Sequence, residues 1–150
     1  MGLDMYLRGK RFLSKWFEED KDMRDAVKSA FPELSAFEEN PVQIIEIDAG
    51  YWRKANQIHG WFVKNVQDGE DNCKSHEVSR DDLEKLKSVC EQVLKNKEEA
   101  PNLLPVRKGF FFGSYDYDEW YFKDIEHTIK IIDRALALPN NWYFEYDSSW

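Results

Sequence analysis

The chain has 150 residues, 42% of them hydrophobic and 15% aromatic, a length at which one domain over 1–150 can bury roughly 70% of its unfolded surface. Lys and Arg number 21 against 29 Asp and Glu, a net charge of −8, which excludes the broad basic face that nucleic-acid backbones demand. No apolar run approaches the roughly 18–20 residues that span a bilayer, the start shows no charged-then-apolar leader, and a cytoplasmic protein without membrane attachment is expected.

Leu3, Met5 and Leu7 alternate with Asp4, Tyr6 and Arg8, the period of a half-buried strand that Gly9 ends or bends. Ser14 is placed to cap a helix with apolar positions Trp16/Phe17, Met23, Ala26/Val27 and Ala30/Phe31, stopped by Pro32. The β-branched run from Val42 to Ile47 predicts a second strand, turned at Asp48 or Ala49-Gly50. From Tyr51 the spacing becomes helical, through Ala55, Ile58, Phe62 and Val66. Residues 67–72 form a polar loop. Ser79 with Asp82 predicts a capping box before a helix whose face is Leu83, Leu86, Cys90 and Val93/Leu94. Phe110 to Phe112, between glycines, reads as a buried strand or a packed loop. Asp116 with Glu119 opens a long helix through Tyr121, Ile125, Ile129, Ile132 and Leu136, and Trp142 to Tyr146 alternates as a last strand.

About four helices and three or four short strands, without a regular β-α-β rhythm, predict an α+β fold with a small, mostly antiparallel sheet. Residues 63–109 contain no aromatic side chain, whereas both flanks are dense with them. That stretch is expected to be an appended hairpin or flap.

The densest polar group lies on the helix predicted from Tyr51. Trp52, Asn56, His59 and Val63 recur three or four residues apart and so share one face, with Arg53 beside them. An indole, an amide, an imidazole and a guanidinium are the groups that hold a planar anion such as a nucleotide. The plainer reading makes Trp52 core, and has Asn56 and His59 satisfy buried backbone while Arg53 pairs with an acid. Phe112, Ser114 and Tyr115 are the other ligand-binding candidates, because Gly113-Ser114 lies before a helix N-terminus that attracts anions. Asp116, Asp118 and Glu119 compete for those amides by capping them.

Two cysteines are too few for a disulfide framework, so reduced thiols are expected. Cys73 and His76 have a zinc-like spacing that His59 and Cys90 would complete, but a second tight pair is missing, and neither a metal nor a cofactor is expected. The carboxylates Asp116, Asp118, Glu119, Asp124 and Glu126 would serve hydrolysis only if burial displaced one of their pKa values. No phosphate-cradling glycine motif of the P-loop or Rossmann type occurs.

Four segments carry a resemblance. They are the opening Met1-Gly2-Leu3-Asp4-Met5-Tyr6-Leu7, the stretch Tyr51 to His59 with Trp61-Phe62-Val63, Gly109 to Ser114 with Tyr117 to Tyr121, and the terminal Ser148-Ser149-Trp150. Together they resemble a family of small uncharacterised proteins of bacteria and their phages. No activity, cofactor or catalytic residue carries over. The resemblance implies a phage or prophage accessory protein that binds, and inhibits without catalysis, a host protein, with a defence component among the candidates. A nucleotide-like ligand or a small enzyme centred on Trp52, Arg53, Asn56 and His59 is the alternative.

Overall fold

The structure, a computed structural model, describes residues 2–150; Met1, first residue of the opening motif, lies outside them. The fold is α+β. Strands β1 (Asp4–Phe12), β2 (Ile44–Arg53), β3 (His76–Val78) and β4 (Trp142–Ser149) form one antiparallel sheet in the order β2-β1-β4-β3. The helices are α1 (Glu18–Ala30), α2 (Asn56–Asn65), α3 (Arg80–Lys95), the single turn α4 (Ala100–Leu103) and α5 (Glu119–Leu136).

The two-residue period of β1 is carried out in full. Leu3, Met5 and Leu7 are buried with Phe144, Tyr146 and Ser148 of β4. The alternate residues face the other way into a charged layer, where Arg8 pairs with Asp48 and Asp147, and Lys10 with Glu145. Gly9 neither ends nor breaks the strand, because it pairs with Ile47 and Phe144 on either side.

The turn expected at Asp48 to Gly50 is a bulge instead. Leu7 pairs with Gly50 and Arg8 with Asp48, so Ala49 is the extra residue and β2 runs on to Arg53. A carbon added at Gly50 would lie 2.4 Å from Ile131 Cγ2, so a side chain there would push α5 off the sheet. The continued strand takes Tyr51 and Trp52 out of the predicted helix, which starts only at Asn56.

Residues 63–109 are no flap. Val78 of β3 and Leu83, Leu86, Cys90 and Val93 of α3 are buried in the same cluster as α5 and the central strands. Small aliphatic side chains replace rings there because α3 and α5 pack closely. The Ser79/Asp82 capping box forms as predicted. Arg80, one residue further, donates to the carbonyls of Leu136, Leu138 and Pro139 and so finishes the C-terminal end of α5. Asp118, not Asp116, caps the start of α5 by accepting from the Tyr121 amide at 3.0 Å. Of the three consecutive phenylalanines only Phe112 is buried; they form a turn with Phe111 at φ 61, and neither the strand nor a fully packed loop is present.

Candidate functional site

The predicted polar residues separate according to the strand-to-helix boundary. Trp52 lies on the inner face of β2, where its Nε1–H donates to Thr128 Oγ1 at 2.9 Å and its ring meets the edge of Phe62. Arg53, the next residue along the strand, points to the opposite face beside Asp4 at 3.8 Å. Asn56 and His59 do share the buried face of α2, and the turn carrying Phe112, Ser114 and Tyr115 comes to them.

Asn56 acts as a clip. Its amide nitrogen donates to the carbonyls of Phe112 and Ser114, and its oxygen accepts from the Arg107 amide at 2.9 Å. Tyr115 closes the same turn, its hydroxyl donating to the Gly109 carbonyl at 2.9 Å. The hydroxyl of Ser114 accepts from the Asp116 amide.

His59 is fully buried, with Phe112 edge-on at 5.4 Å. Burial lowers its pKa, outweighing the pull of Asp71, while burial raises the Tyr146 hydroxyl well above its ordinary value. A neutral ring between a protonated hydroxyl and a carboxylate has one consistent arrangement. Tyr146 donates to Nδ1 at 2.7 Å, and Nε2–H donates to Asp71 Oδ2 at 2.8 Å. Asp71 also accepts from the Trp150 indole at 3.0 Å and lies 3.5 Å from Arg107 Nε. The guanidinium beside the imidazole is therefore Arg107 and not Arg53. Asp71, Tyr146, Arg107 and Trp150 were hidden from a reading of one helix face, because they come from a polar loop, the last strand, an irregular segment and the terminus. Every polar atom that Asn56 and His59 offer is spent on protein partners, which ties loop, turn and terminus to α2.

The zinc-like spacing is not realised as a site. Cys73 is exposed and Cys90 buried on α3, and among the described residues no group of three or more His, Cys, Asp or Glu side chains is arranged to hold a metal ion. Of the carboxylates, Asp124 is displaced, its pKa pushed up to about 6 by burial that the Gln57 amide and His127 only partly offset.

A different feature appears between β1 and β2. Residues 14–43 leave the sheet as an arm whose helix α1 contains no buried residue. Ser14 does not cap it: Phe17 occupies the cap position without a side-chain bond, and the Ser14 hydroxyl accepts from the Trp16 amide instead. Polar side chains hold the arm. Asp20 accepts from Arg11 and from the Ser14 amide, and Arg24 donates to the carbonyls of Val42 and Asn40 at 2.7 and 2.6 Å. The predicted apolar stripe therefore does not enter the core. Trp16 is 81% exposed and Phe17 66%, and Phe31 and Phe37 are exposed with them. Phe12 and Ile44, cross-strand partners at the base of the arm, are exposed too. Between the outgoing and returning chain lies a cleft of about 510 Å³ walled by Phe12, Trp16, Phe37 and Pro41.

Compared with known proteins, the chain matches no family model, no curated protein sequence and no solved structure. Among the described residues no helix is long and apolar enough to cross a membrane.

Proposed function

We propose that the chain is a non-catalytic binding protein that docks a protein with a basic contact surface into the aromatic cleft of the 14–43 arm. The observation that carries this reading is the inverted economy of the arm, in which polar side chains hold the segment while four large rings face solvent. Exposed rings gathered around one cleft, as Phe12, Trp16 and Phe37 are, mark interaction sites, and exposed aromatic anchors supply most of the binding energy in protein interfaces. Residues 14–43 carry eight acidic side chains against four basic ones, so although the cleft itself is balanced, with Glu38 and Glu39 beside Lys15 and Arg24, the arm as a whole draws a positively charged partner and speeds its approach. The resemblance to proteins of bacteria and their phages makes a host factor, inhibited by occupancy of its surface, the class of partner.

The test uses the protein as an immobilised bait in host lysate at low and high salt, beside a Trp16→Ala/Phe37→Ala double variant with unchanged far-UV circular dichroism. The expected result is one dominant basic partner, weakened by salt and lost on the variant. Capture of the same partner by both baits, or of none by either, overturns the proposal.

A further inference from the structure

A second hollow, on another part of the molecule from the arm, has the opposite charge. It runs between α2 and the segment 102–108 with a volume of about 840 Å³, within the range of small-molecule sites. Its charged lining is Lys64, Arg107 and Lys108, with no acidic residue, in a chain whose net charge is −8. The hollow over β2 and the end of α5, by contrast, sets Asp48 against Arg134.

The three cations are unequally occupied. Among the described residues no carboxylate lies within 4 Å of Lys64 or Lys108. Arg107 leans on Asp71, its Nε 3.5 Å from the carboxylate, and its terminal nitrogens make no hydrogen bond to the described residues. The side chain is nevertheless fixed in place. Gly60 of α2 lets it lie flat on the helix, since a carbon added there would stand 3.3 Å from Arg107 Cβ and 3.5 Å from Cδ. Asn56, one turn earlier, holds the Arg107 amide. A guanidinium with a braced stem, one shielded nitrogen and a free fork is arranged for bidentate contact with an oxyanion, and Lys64 stands one helical turn beyond Gly60 on the same wall. Trp61 and Pro105 supply an apolar wall in the same hollow, suited to a flat body attached to the anion.

We propose that this groove binds a small organic phosphate of the nucleotide type, its phosphate held by Arg107, Lys64 and Lys108 and its base lying against Trp61 and Pro105. This site is independent of the arm and stands or falls without it. It differs from the constellation read from the sequence, because Trp52, Asn56 and His59 are turned inward and Arg53 is on the far face of the sheet.

Titration calorimetry with adenosine monophosphate, adenosine and inorganic phosphate tests it. The expected result is saturable binding of the nucleotide, weakened by salt and tighter than either part alone. Lys64→Gln, an exposed change that leaves the unliganded melting temperature in place, and Arg107→Gln should each weaken it by about tenfold, while Lys15→Gln on the arm should not. No saturable binding of the nucleotide, equal affinity for inorganic phosphate, or affinity unmoved by Lys64→Gln and Arg107→Gln would each overturn the proposal.

Discussion

The arm at 14–43 and the shell around His59 use the same polar device to opposite ends. In both, polar side chains hold irregular segments: Arg24, Asp20 and Asn40 bind backbone in the arm, while in the shell Asn56 binds the backbone of 107–114 and Asp71 ties His59 to Trp150. In the shell the rings of Phe62, Phe112 and Tyr146 close over those bonds, and Phe62 stacks on Tyr146 at 4.0 Å. In the arm the rings turn outward and the bonds stay near water. A dense polar cluster under rings is an architectural joint, whereas rings left outside a polar joint are free to meet something else. The difference lies in the destination of the apolar side chains and not in the chemistry of the polar ones.

The largest effect should come from breaking the joint. Asn56→Ala strands the buried Phe112 carbonyl and the half-buried Ser114 carbonyl and Arg107 amide, and with an orphaned buried group costing about 1–3 kcal/mol, a loss of about 3 kcal/mol is expected in urea unfolding. Asn56→Asp should be no better, because it keeps the acceptor for Arg107 but turns a negative oxygen toward the carbonyls of Phe112 and Ser114. A stability unchanged by both substitutions would mean that the 107–115 turn is held by its rings alone.

How much of this could be read from sequence differs between the same two regions. The periods that bury a face were legible: the alternation of Leu3, Met5 and Leu7, the stripe of α5, and the Ser79/Asp82 box all formed. The stripe of α1 was equally regular and yet misleading, because periodicity reports that a helix has an apolar face and not that anything in the same chain covers it. The bulge at Ala49 was invisible for a different reason. Ala-Gly in a strand is compatible with a turn, and only Ile131, some eighty positions away, requires Gly50 to be bare. The absence of rings in 63–109 misled too, since closely packed helices favour Leu, Val and Cys at the contact. In the candidate site only the pair Asn56 and His59 shares a helix face as its spacing implied; Trp52 stays on the strand, and Phe112, Ser114, Asp71, Tyr146 and Arg107 reach the pair only through tertiary pairing.

An intermediate effect concerns the charge at the border of the core. Asp124 has a folded pKa of about 6 against its ordinary 3.8, so the folded state holds its proton more tightly and stability falls as pH rises from about 4 to 6. His59 works the other way: its folded pKa lies below 6.5, so its contribution is present above 6.5 and is lost as pH falls toward the folded value. The two slopes oppose each other in the wild-type protein. Asp124→Asn should raise stability at pH 7 by about 1–2 kcal/mol and, with its compensating slope removed, leave a steeper loss on acidification. Chemical unfolding at pH 7 and pH 5 reads both. A variant whose stability falls no more steeply than wild type between pH 7 and pH 5 would remove Asp124 from the account, and one that loses no stability below pH 6.5 would remove His59.

The smallest effect on stability should fall where binding is expected to matter most. Trp16 and Phe37 have little apolar surface to lose on truncation to Ala, because most of each ring is already in water. Surface changes of this kind usually lie within about 0.5 kcal/mol, so the double variant should unfold at nearly the same urea concentration as wild type. Arg24→Ala provides the contrast inside the arm: it removes the clamp on Asn40 and Val42 while leaving every ring in place. Limited proteolysis should then cut within 14–43 sooner than in wild type, with the sheet and the α3–α5 pair intact. If the ring variant were instead destabilised as strongly as Asn56→Ala, the rings would be serving the fold of this chain, and the separation between a joint that closes on itself and a surface that waits for a partner would fail.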